Sequence, residues 1–203
     1  MVALSVLAAA AAVVAGGPPQ EFAVRSTADD FVLHGQVDLP AGEAPKALVV
    51  FLPGSGNHPR DFEFTAKGAP RRYVFAELAQ AMNARGLATL RYDERGSSCF
   101  GKTLPADGSR RCRDDQAAGK INWTTLHGDA QAVVDEAAKR PGGQCLILMG
   151  HSEGAAHAIR LIERKEVKAA GLIGIGAVLD TLAGTIHWQA VQVGADSIAM
   201  SDL

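Results

Sequence analysis

Four apolar runs of strand length recur along this chain with helix-patterned segments between them: residues 46–52 (KALVVFL), 87–92 (LATLRY), 144–149 (QCLILM) and 167–178 (VKAAGLIGIGAV). The first of them, continuously apolar between Pro45 and Pro53, reads as a strand covered on both faces, and the others read as further strands. Residues 75–85 (FAELAQAMNAR) carry apolar residues at helical spacing and stop at Gly86, residues 122–140 read as a long amphipathic helix ended by Pro141-Gly142-Gly143, and a third helix runs from about residue 155 to 165. Strands alternating with helices build right-handed βαβ units on a parallel sheet, with ligands at the carboxyl ends of the strands. The expected fold class is therefore α/β, a three-layer α/β/α arrangement on a mostly parallel sheet. Residues 21–39, with partial alternation around Asp29-Asp30, add an antiparallel hairpin in front of it.

At 203 residues the chain has the length of one domain, placed over residues 21–203. Ahead of it lies an uncharged Ala- and Val-rich run, residues 1–17, followed by Pro18-Pro19. That run is short for a bilayer span. With Val13 and Ala15 in the −3 and −1 places of a small-residue cleavage site, residues 1–15 read as a secretory signal peptide, although they lack the usual basic residues. A secreted or periplasmic protein with no membrane span after processing is expected. Twenty Lys plus Arg against 22 Asp plus Glu leave a net charge of −2, which excludes a nucleic-acid partner or a polybasic membrane patch. Cys99, Cys112 and Cys145 have no metal-ligand spacing, and neither a metal nor an organic cofactor is implied. Cys99 and Cys112 bracket the polar segment FGKTLPADGSRR and are either a loop-closing disulfide or two unrelated thiols; Cys145 reads as a small buried hydrophobe.

Chemistry concentrates in Gly150-His151-Ser152-Glu153-Gly154, a G-x-S-x-G motif that follows an apolar strand directly and opens a helix. That context makes it a nucleophile elbow: side chains at positions 150 and 154 would collide with backbone, and Ser152 is held strained with its hydroxyl at the strand's carboxyl end. The Glu153 amide, at a helix N-terminus, is placed to stabilise an oxyanion. A second donor is expected from Pro53-Gly54-Ser55-Gly56, where the Ser55 amide is the candidate. Neither this loop nor Gly174-Ile175-Gly176 supplies the third glycine of a dinucleotide-binding turn.

KALVVFLPGSG, RGLATLRYDERGSS, LILMGHSEGA and GLIGIGA, in this order and spacing, resemble the first two thirds of an α/β-hydrolase-fold serine esterase, lipase or peptidase-like protein, over residues 21–180. The resemblance implies Ser152 as nucleophile, the Ser55 and Glu153 amides as the oxyanion hole, and Asp93-x-Arg95-Gly96 as a structural turn. Pro53 stands where many relatives have His. The substrate class implied is a small carboxylic ester or amide, cleaved through an acyl-enzyme. In such proteins the acid and base follow the nucleophile in the order Asp or Glu, then His. Only a quarter of this chain follows Ser152, so it is expected to lack the last strands and to stop before both groups. Asp180 and His187 have the right order but lie only seven residues apart. His58, His127, His151 and His157 read as loop, helix-surface, elbow and helix residues, none of them a base. The alternative is a non-catalytic hydrolase-like domain that binds through the Ser152 cleft.

Overall fold

The computed structural model describes residues 17–42, 44–65 and 68–177, together with the single positions Gly184, His187 and Val191. The N-terminal run and Asp180 lie outside the described residues, and so does the cleavage site expected there.

Strands β1 (Gln20–Arg25) and β2 (Val32–Asp38) form the hairpin, in antiparallel register from Gln20 opposite Val37 to Arg25 opposite Val32. Its turn is closed by the Ser26 amide donating to the Phe31 carbonyl at 2.8 Å. The parallel strands are β3 (Leu48–Leu52), β6 (Ala88–Tyr92), β7 (Leu146–His151) and β8 (Ala169–Ile175). Among the described residues the sheet runs β1-β2-β6-β3-β7-β8, with β2 antiparallel to β6 and parallel pairing from there on. The expected mostly parallel α/β architecture is what the chain adopts.

Every residue of β3 and β6 is buried, as continuously apolar strands require. Val49 and Phe51 pack with Phe75 and Ala79 of α1 (Val74–Asn83) on one face of the sheet. Leu48, Val50 and Leu52 pack on the other face with Ala130, Val133, Val134 and Ala137 of α3 (Trp123–Ala137) and with Ala158 and Leu161 of α4 (Glu153–Glu163). Helix α3 starts in a reciprocal cap: the Thr125 amide donates to Asn122 Oδ1 at 3.1 Å, and the Asn122 amide to Thr125 Oγ1 at 3.0 Å.

Some elements depart from the sequence reading. Helix α4 begins at Glu153 rather than near residue 155, because the chain turns into it directly from the end of β7. Two two-residue strands, β4 (Glu63–Phe64) and β5 (Arg72–Tyr73), pair antiparallel, and a one-turn helix α2 (Asp115–Ala118) is capped by Asp114. Pieces this short carry no period to read. Cys145 is half-buried rather than buried, since it precedes β7 instead of lying within it.

A buried ionic lattice ties hairpin, sheet and helices together. The Arg95 side chain, wholly inaccessible, donates through Nε to Asp129 Oδ2 at 2.7 Å and through Nη1 to Asp29 Oδ2 at 2.8 Å. Arg60 binds Asp93 through its amide (2.9 Å) and its guanidinium (2.8 Å). Arg91 pairs with Asp38 at 2.8 Å and also with Asp61. The Asp93-x-Arg95 segment therefore joins layers. Among the described residues no helix is long and apolar enough to cross a membrane.

Candidate active site

Parallel β7 ends at His151, and α4 begins two residues later, which leaves Ser152 alone in the bend. Its backbone sits at φ 50°, ψ −119°, a conformation L-residues rarely adopt and that surrounding structure must enforce. Three contacts enforce it. The Ser152 amide donates to the Ile175 carbonyl of β8 at 2.9 Å. A Cβ on Gly150 would lie 2.3 Å from Ala155 Cα, and one on Gly154 2.1 Å from the Leu52 carbonyl oxygen, so only glycine lets α4 pack this tightly against β7 and β3. The glycines at both ends of the motif are thus steric requirements of the bend.

The loop after β3 lies against this serine: a Cβ on Gly54 would approach Ser152 Cβ to 2.9 Å. Gly56 at φ 132° and Asn57 at φ 56° turn the loop sharply, and the Ser55 carbonyl lies 3.0 Å from His58 Nε2. On the other side of the serine, Glu153 is the first residue of α4, where an amide has no carbonyl four residues back within the helix to receive it. The two segments expected to carry oxyanion donors therefore flank Ser152.

His127, His151 and His157 are held by contacts away from the Ser152 hydroxyl. His151 is wedged between Gly54 and Phe62, its ring 4.6 Å from that of Phe62, and burial holds its imidazole below the usual histidine range. His157 is buried against Trp123, ring centroids 4.2 Å apart; burial, with a smaller push from His127, lowers it to about 4. His127 lies 3.2 Å from Glu166 on the far side of α3, half-buried rather than on the helix surface. His187 is in helical conformation and exposed, whereas its expected acid, Asp180, lies outside the described residues. Among the described residues no histidine hydrogen-bonds to Ser152.

Sequence reasoning passed over Glu94. It follows β6, is 4% exposed, and its Oε2 accepts the His58 amide at 2.6 Å. Burial pushes its carboxyl up to about 8, against the lowering effect of the His58 hydrogen bond and with a further upward push from Glu153. It stands in DERGSS, at the open position of the structural turn Asp93-x-Arg95-Gly96, and nothing local announces a buried acid. Cys99 and Cys112 are joined, Sγ atoms 2.06 Å apart, and the loop they close is anchored by the Cys112 amide donating to the Ser97 carbonyl at 3.1 Å. Among the described residues no group of acidic, His or Cys side chains is arranged to hold a metal ion.

Solved structures share this fold. A highly thermostable carboxyl esterase from Bacillus coagulans superposes with a TM-score of 0.57 at 15% identity, over 90% of this chain and 51% of that one. The α/β hydrolase GrgF from Penicillium sp. sh18 does so with 0.54 at 18% identity, over 90% of this chain and 54% of its own. The chain spans about half the length of these structures. No curated protein matches it. The family model for serine aminopeptidase, S33, matches residues 43–195, from before β3 through the elbow and beyond β8. The chain belongs to this family of α/β hydrolases.

Proposed function

We propose that the protein is a serine hydrolase that cleaves small carboxylic esters, or amides, through an acyl-enzyme on Ser152. The carrying observation is Ser152 itself, held at positive φ between a parallel strand and a helix N-terminus by two glycines that tolerate no side chain. In this reading Oγ attacks the carbonyl carbon, and the oxygen that becomes anionic is received by the amides of Glu153 and Ser55. The alcohol or amine leaves with the proton taken from Ser152, and water then releases the acid. Asp180 and His187 stand in the order that acid and base take in this fold. The same reading makes the protein an exported one, with residues 1–15 as a cleaved signal peptide, and the Cys99–Cys112 disulfide, which suits an oxidising compartment, supports it.

The test is labelling of Ser152 by a fluorophosphonate together with hydrolysis of short-chain p-nitrophenyl esters. Ser152→Ala is expected to abolish labelling and to lower turnover at least about 10³-fold. Turnover that survives this substitution refutes the nucleophile. His187→Ala measured alongside reads the base: unchanged turnover removes His187 from the mechanism.

A further inference from the structure

Glu94 is a carboxyl in a place where a charge is costly. It forms no ion pair among the described residues, and its environment is mixed. The His58 amide reaches it from the loop after β3, Arg111 acts on it from the disulfide-closed loop, and the Glu153 and Asp129 carboxylates act on it from α4 and α3. Asp129 is itself occupied by Arg95.

What Glu94 holds is specific. Its carboxylate takes the His58 amide at 2.6 Å, its own amide donates to the His58 carbonyl at 3.1 Å, and the Ser97 hydroxyl donates to that carbonyl at 2.8 Å. Residue 58 is thus gripped on both sides of its backbone by the turn after β6. The His58 ring in turn meets the Ser55 carbonyl at 3.0 Å, across Gly56 and Asn57, both at positive φ. A loop bent this way keeps its shape only if neighbouring structure holds it. The contacts therefore run without a break from Glu94 through His58 to the segment flanking Ser152.

We propose that Glu94 is a positioning residue of the acyl-transfer site, its carboxylate holding the His58 amide and thereby the peptide that presents the Ser55 donor to the substrate oxygen. The proposal rests on the hydrolase reading above. A charged acceptor binds an amide about twice as strongly as a neutral one. Since burial places the Glu94 transition at about 8, the grip tightens as pH rises through that value. Fold stability moves the other way. An acid whose pKa is raised in the folded state contributes stability that is complete below its ordinary value and lost as pH rises through the folded one.

The experiment compares the full chain with Glu94→Gln from pH 6 to 10, following kcat and KM on a short-chain p-nitrophenyl ester and the His58 amide by ¹H–¹⁵N NMR. In the unsubstituted protein kcat rises across a limb near pH 8 and the His58 amide titrates with it. In Glu94→Gln the limb is absent, the amide is flat, kcat at high pH is about tenfold lower and KM is within about twofold. That loss is smaller than the roughly hundredfold cost of deleting an oxyanion donor outright. A limb that persists in Glu94→Gln, or a His58 amide in the unsubstituted protein that does not titrate, overturns the proposal. The amide titration needs neither the variant nor turnover. Absence of ester turnover therefore counts against the hydrolase reading alone, while the titration still decides the clamp.

Discussion

Strain at Ser152 is a local cost carried for geometry. A serine at φ 50° gives up stability that glycine would retain, of order 1 kcal/mol. Ser152→Gly is accordingly expected to raise the urea midpoint by an amount equivalent to about 1 kcal/mol while removing the hydroxyl that the proposed reaction uses. Equal stability of the Gly and Ser proteins would mean that the bend is not strained. Gly150 was legible from sequence because its need is local, the bend bringing position 150 against position 155, whereas Gly154 is required by the Leu52 and Pro53 carbonyls at the end of β3. Glu94 was not, because the amide that binds it, His58, and the carboxylates that act on it, Asp129 and Glu153, are distant in sequence.

Among the elements, α3 and α4 meet over an aromatic stack whose polarity is mismatched with its burial. His157 lies between Trp123 and His127, with ring centroids 4.2 and 5.6 Å away, and neither of its ring nitrogens has a hydrogen-bond partner. Glu153 Oε1 lies 3.8 Å from its Nε2. A histidine depressed to about 4 contributes stability that is present above its ordinary value near 6.5 and is lost as pH falls through 4. At roughly 1.4 kcal/mol per pH unit, this group accounts for up to about 3 kcal/mol of acid destabilisation. His157→Phe keeps the stack without the titration, so its urea midpoint should fall less than that of the unsubstituted protein between pH 6.5 and 4. Parallel curves would show that His157 titrates in the folded state at its ordinary value and is not depressed by burial. The element pattern itself was largely readable, since β3, β6 and β7 are continuous apolar runs and α3 carries its capping residues in sequence. The exceptions were β4, β5 and α2, whose two to four residues define no period.

For the molecule as a whole, the buried Arg95 lattice does what the hydrophobic layers alone do not: it fixes the hairpin and α3 to the end of β6. Removing one carboxylate leaves part of a buried guanidinium unpaired, which costs about 3 kcal/mol or more. Asp129→Ala, whose partner Arg95 is wholly inaccessible, is expected to lower stability by that amount in chemical denaturation; a loss below about 1 kcal/mol would show the lattice to be dispensable. The other whole-molecule feature is β8, an apolar strand whose Leu172 and Ile173 are 42% and 38% exposed, because among the described residues it borders only β7. From sequence it read as the fourth strand of the parallel sheet. Which faces are covered depends on neighbours, and a strand's own residues do not name them.

Sequence by itself determined the features that rest on short-range physics: the alternation of strands and helices, the antiparallel hairpin and the glycine-flanked bend at Ser152. Hydrophobic period and steric exclusion act over a few residues and are written where they act. Tertiary structure decided the pairings that join distant segments: Cys99 with Cys112 rather than two free thiols, Arg95 with Asp29 and Asp129, and Glu94 with the His58 amide. These groups come together because the parallel sheet brings the ends of β3, β6 and β7 to one edge. Their partners are therefore chosen by topology and burial, which no local stretch of the chain encodes.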